Sequence, residues 1–121
     1  MKKILVVDDS TTVRLYHKWI LENAGYEVDE AENGMEALEK ASQKEYNLFL
    51  IDINMPILDG YSFVKRYRQN HGYDTSIIMI STEAQESDKI TAYKVGANFY
   101  QVKPVTKDDL IFSTKLLVID K

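Results

Sequence analysis

The 121 residues fit one domain, and 15 Lys and Arg against 19 Asp and Glu leave a net charge of −4, a field that weakly repels phosphate backbones and anionic lipid. Nucleic acid and membrane are therefore not expected as direct partners. With 45% hydrophobic and 28% charged residues the chain is globular in composition, and the absence of Cys excludes disulfides, thiolate metal sites and cysteine nucleophiles.

The apolar run after Met1-Lys2-Lys3 is too short for a secretion signal, and no stretch approaches the ~20 apolar residues of a membrane span, so a cytoplasmic setting is expected. Ile4 to Val7 reads as a first strand. Helical spacing follows from about Thr12 to Ala24, with Val13, Tyr16, Ile20 and Ala24 on one stripe and Gly25 as the stop. A second strand at Glu27 to Ala31 leads into a helix aligning Met35, Leu38 and Ala41. The third strand, Leu48 to Ile53, precedes a helix around Tyr61, Val64 and Tyr67. The fourth, Ile77 to Ile80, precedes one around Ile90 and Tyr93 that ends at Gly96. After the fifth strand, Phe99 to Val102, Thr106 is a suitable N-cap, with Asp109 three residues on, for a last helix carrying Leu110, Leu117 and Val118.

Five strand–helix units in succession predict a parallel sheet, because each parallel connection needs a crossover. The first, third and fourth strands are continuously apolar, whereas Glu27-Val28-Asp29-Glu30 alternates and Phe99-Tyr100-Gln101-Val102 is mixed, which marks the second and fifth as edges. With right-handed crossovers the expected fold is a three-layer, doubly wound α/β domain over residues 1–121. Its five strands would take the flavodoxin-like order 2-1-3-4-5.

Ligands of such sheets collect beyond the carboxyl ends of the strands. Asp8 and Asp9 follow the first strand, Asp52 stands near the end of the third, Ser81 closes the fourth and Lys103 the fifth. Three carboxylates from adjacent strands repel one another unless protonated or shared by a cation. Mg2+ suits such a cluster, since it prefers oxygen ligands and completes its shell with water and phosphate oxygens. Lys103 adds a point charge able to grip an anion. Each residue alone has a plainer reading: acidic strand ends serve as solvated loop positions or helix caps, Ser81 as a cap or turn, and Tyr100 as an edge-strand aromatic covering apolar surface. The convergence of four strands on one pole favours a site.

Four groups of residues also carry a family likeness: Ile4-Leu5-Val6-Val7-Asp8-Asp9-Ser10; Leu50-Ile51-Asp52-Ile53-Asn54-Met55-Pro56 with Asp59-Gly60; Ile80-Ser81; and Val102-Lys103-Pro104. Over essentially its whole length the chain resembles the receiver domain of a two-component response regulator. The resemblance implies that Asp52 accepts a phosphoryl group from a histidine kinase. It implies Mg2+ on Asp9, Asp52 and the backbone carbonyl of Asn54, with Asp8 acting largely through water, and Lys103 on the phosphoryl oxygens. Ser81 and Tyr100 would form the switch, reshaping the surface of the fourth helix, fifth strand and fifth helix, and the Lys103-Pro104 bond would be cis. No catalytic turnover is implied beyond self-phosphorylation from small donors and autodephosphorylation. Asp59-Gly60 needs only a turn with positive φ leading into the third helix. Trp19 reads as packing or surface cover, and His17 and His71 are too few and too separated to suggest a metal site.

The segment from Asp9 to Arg14, Asn54 and Glu83 together resemble chemotaxis-type, CheY-like members. That likeness implies a chemotaxis-type kinase and a target such as a flagellar motor switch component. A stand-alone receiver is the simplest reading of a chain from Met1 to Lys121. A monomer is expected, because the charged pairs of dimeric DNA-binding members are not evident. Thr82 and Val105 depart from the common pattern of Ala and Phe, and a larger side chain beside the site would narrow access for donor or water. Three rival readings are a flavodoxin-like electron carrier, an aspartyl phosphatase and a fragment of a larger regulator. Asp8 and Asp9 would repel a flavin phosphate and no Gly opens the first loop. The phosphatase pattern has Asp where this chain has Asn54.

Overall fold

A computed structural model describes residues 1–119; the last two residues of the expected domain lie outside the described residues. Strand and helix alternate five times: β1 (Lys3–Val7), α1 (Thr11–Asn23), β2 (Glu27–Ala31), α2 (Gly34–Gln43), β3 (Leu48–Asp52), α3 (Gly60–His71), β4 (Ser76–Ser81), α4 (Glu86–Val95), β5 (Phe99–Val102) and α5 (Lys107–Leu117). All four pairings are parallel and the order is β2-β1-β3-β4-β5, as the strand patterning predicts.

The period-two alternation of strand side chains divides the core into two layers. Leu5, Val7, Phe49, Ile51, Ile77 and Met79 face Ala37 of α2, Phe63 and Val64 of α3 and Ala92 of α4. Ile4, Val6, Leu48, Leu50, Ile78 and Ile80 face Ile20 and Leu21 of α1 and Leu110 of α5. Side-chain caps start four helices: Ser10 accepts from the Val13 N–H, Asn33 from Glu36, Asp59 from Ser62 and Thr106 from Asp109. Gln85, at the start of α4, makes no such bond.

Several helical faces differ from their expected stripes. Tyr16 is exposed, and α1 instead buries Arg14 and His17 with Ile20 and Leu21, because the polar end of Arg14 finds partners inside. Met35, Ile90 and Tyr93 are also exposed; α2 turns Ala37 inward and α4 buries Ala92 alone. The larger side chains of α4 thus mark its outer face.

Candidate functional site

At the carboxyl end of the sheet β1 and β3 lie side by side, which brings Asp8 and Asp52 together from strands 44 residues apart in sequence. Asp8 is 2% exposed and Asp52 7%, while Asp9 is open to solvent. Ligand oxygens of Asp8, Asp9 and Asp52 lie within 4.8 Å of one another. Lys103 arrives from the end of β5, just before a cis bond to Pro104 as expected, and sets its Nζ 2.9 Å from Asp8 Oδ2 and 3.3 Å from Asp52 Oδ1.

One ammonium against three carboxylates leaves net negative charge in a half-closed site. Burial, then repulsion from Asp8, push the Asp52 carboxyl up to about 6 against the opposing pull of Lys103. Burial would lower the Lys103 ammonium, but its bond to Asp8 and the charge of Asp52 raise it above the ordinary lysine value. An all-oxygen donor set with surplus negative charge, open to solvent on the Asp9 side, fits a hard divalent cation such as Mg2+. His17, buried in α1, is lowered chiefly by desolvation, with Asp8 opposing.

Ser81, the last residue of β4, is fully buried, and its Oγ accepts the Glu83 N–H at 3.0 Å. Tyr100 is buried on β5 and donates its hydroxyl to the Glu83 carbonyl at 2.7 Å. Glu83 therefore ties the two switch candidates together, a link that strand positions alone do not reveal. Asn54 is exposed two residues beyond Asp52, Thr82 is exposed, and Val105 packs into the layer beneath α1 and α5.

The β3–α3 loop corrects one expectation. Asp59 has φ −74° and caps α3, so Asp59-Gly60 is not a positive-φ turn. Gly60 is required by close approach instead: a Cβ there would stand 2.5 Å from the Asp52 carbonyl oxygen and 2.9 Å from Ile53 Cα. The positive φ falls on Ile57, at 71°, where Leu58 N–H donates back to the Pro56 carbonyl at 2.8 Å, the hydrogen bond of a γ-turn. No sequence signal marks this position, since a β-branched residue is among the least suited to it.

The model of the response regulator receiver domain matches residues 4–115. The chain belongs to that family. The receiver is 35% identical over 116 residues to the transcriptional regulatory protein ResD of Bacillus subtilis, a match covering 96% of this chain and 48% of ResD. It thus spans about half the length of that relative. Among solved structures, the chemotaxis response regulator CheY4 of Vibrio cholerae is 37% identical, with a TM-score of 0.91 over 97% of the receiver and 98% of CheY4. The response regulator TrrA of Thermotoga maritima, solved in complex with Mg2+ and BeF, is 36% identical, with a TM-score of 0.87 over 97% and 99% of the two chains. Receiver domains accept phosphoryl groups from histidine kinases in two-component signalling and generally bind Mg2+ through an acidic cluster such as that of Asp8, Asp9 and Asp52.

Proposed function

We propose that this receiver is a Mg2+-dependent switch with Asp52 as the phosphoryl acceptor. The observation that carries this reading is the convergence of Asp8, Asp9, Asp52 and Lys103 on one pole. An Asp52 carboxylate oxygen bonds to phosphorus as the P–N bond of the kinase phosphohistidine breaks, its electron pair leaving with the imidazole nitrogen. Asp9, Asp52 and the Asn54 carbonyl would hold Mg2+ directly and Asp8 largely through water, and the ion would supply charge neutralisation at the phosphoryl oxygens. The TrrA complex with Mg2+ and BeF supports that requirement. Lys103 holds the phosphoryl group. The Ser81 Oγ accepts the Glu83 N–H and its hydroxyl also bonds to the Tyr100 side chain, so turning its hydrogen toward the new oxygens would exchange its contact with Tyr100.

Rearrangement of Ser81 would then pass through Glu83 to Tyr100 and alter the surface of α4, β5 and α5, where Ile90, Tyr93, Phe99 and Phe112 are exposed. A monomeric, cytoplasmic protein without turnover on other substrates fits this role. A chemotaxis-type kinase draws on the likeness to CheY4, a chemotaxis response regulator, over nearly its full length; a target such as a flagellar motor switch component rests on the family likeness of Asp9 to Arg14, Asn54 and Glu83 alone. A transcriptional output is supported by the likeness to ResD, and the two differ in whether an output domain follows residue 121.

Intact mass after incubation with acetyl phosphate and Mg2+, beside EDTA and Asp52→Asn samples, tests the acceptor. One added phosphoryl group that requires both Mg2+ and Asp52 is expected; an adduct retained in Asp52→Asn rejects the assignment. A coding segment after codon 121 would favour the regulator reading, and a stop codon the diffusible messenger.

A further inference from the structure

Every polar group of Asp8 has a partner. Its N–H donates to the Ala31 carbonyl of β2 at 3.1 Å, Oδ1 accepts from the Ser10 N–H at 2.9 Å, Oδ2 accepts from Lys103, and its carbonyl accepts from Arg14 Nη1 at 2.6 Å. Asp9 differs: among the described residues its carboxylate makes no hydrogen bond, so it is placed by the backbone alone. The peptide that carries Asp9 is the one whose carbonyl Arg14 grips.

Arg14 is 7% exposed, and its orientation is set from the sheet edge. Its Nε donates to Glu30 Oε1 of β2 at 3.0 Å, and its Nη2 lies 3.9 Å from Glu32. Glu30 is fixed in turn by Lys18 of α1 at 3.1 Å and, through its own carbonyl, by Lys40 of α2. The rigid guanidinium fork thus joins the β2 edge to the Asp8–Asp9 peptide in a way that the single, flexible ammonium of Lys could not reproduce.

We propose that Arg14, held by Glu30, is a positioning residue for the metal site, orienting the Asp8–Asp9 peptide so that the Asp9 carboxylate meets the cation beside Asp52. This rests on the reading of Asp8, Asp9 and Asp52 as a Mg2+ site. Groups behind metal ligands govern affinity by restricting the ligand's orientation, and their loss weakens binding without removing a donor.

The test is a titration of the whole chain with Mg2+ alone, followed by the amide NMR shifts of Asp8, Asp9 and Asp52, in wild type, Arg14→Lys, Glu30→Gln and Lys89→Gln. Arg14→Lys conserves charge and should raise the Mg2+ midpoint roughly tenfold. Glu30→Gln, a milder change against misfolding, should shift it in the same direction. Lys89→Gln removes a cation of α4 that pairs with Glu86 outside this network and should stay within twofold. Phosphorylation by acetyl phosphate, followed against Mg2+ concentration, should show the raised midpoint in Arg14→Lys with recovery of the rate at saturating Mg2+. Folded Arg14→Lys and Glu30→Gln proteins with the wild-type midpoint, whatever their melting temperatures, would overturn the positioning role. Wild type that shows no Mg2+-dependent shifts would overturn the metal site itself, a separate result visible before any variant is compared.

Discussion

The Tyr100 hydroxyl and the Ser81 Oγ hold opposite sides of one residue, Glu83: the former donates to its carbonyl and the latter accepts from its N–H. The first turn after β4 is thereby tied to both β4 and β5, although Glu83 itself is exposed. Tyr100→Phe keeps the buried ring and deletes one hydrogen bond. It should cost about 0.5–1.5 kcal/mol in urea unfolding and speed amide exchange through residues 82–85, with little change near β1.

Asp52 links stability to pH. Its folded value of about 6 lies above the ordinary 3.8, so the folded state holds the proton more tightly than the unfolded chain. Stability is lost as pH rises through this window, and the full cost is present above pH 6. Asp52→Asn removes the charge, so in EDTA it should be more stable than wild type at pH 7.5, by about 1–2 kcal/mol once solvent screening is allowed for. The advantage should fade as pH approaches 4. Paired urea titrations at several pH values read this directly, and an equal advantage at all pH values would point to packing rather than charge.

Metal addition should act in the opposite sense. A ligand that binds only the folded state raises its stability with concentration, so Mg2+ should raise the wild-type melting temperature progressively. In Asp52→Asn, with one carboxylate ligand lost, the same titration should give a smaller rise. Calorimetry with and without EDTA checks both arms.

Arg68 is a buried cation that serves the fold. From α3 it donates to the carbonyls of Gly96 at 3.0 Å, Gly72 at 3.2 Å and Thr75 at 2.6 Å, and to Asn98 Oδ1 at 3.0 Å. Arg68→Met fills similar space but strands several acceptors, and should destabilise by about 3–5 kcal/mol. Chemical denaturation measures the loss, and amide exchange should localise it to residues 72–75 and 96–98.

Ile57 is 79% exposed with φ 71°, so its strain is not offset by burial. Asn tolerates this region far better than a β-branched residue. Ile57→Asn should therefore stabilise the free protein by about 0.5–1.5 kcal/mol, seen as a higher denaturation midpoint with an unchanged slope.

The number and sequence of elements, the two edge strands and hence the topology were legible in the amino-acid pattern, because alternating and continuous apolar runs report directly how many faces of a strand are covered. That pattern also delivered Asp8, Asp9, Asp52, Ser81 and Lys103 to one pole, since residues that close parallel strands must share an end of the sheet. What lies between those positions depended on packing. Arg14 and His17 replaced Tyr16 on the inward face of α1, Ile57 took the positive φ expected of Asp59-Gly60, and Glu83 joined Ser81 to Tyr100. Periodicity records apolar burial, whereas these features depend on polar partners and close backbone approaches from distant parts of the chain, which exist only once the layers have packed.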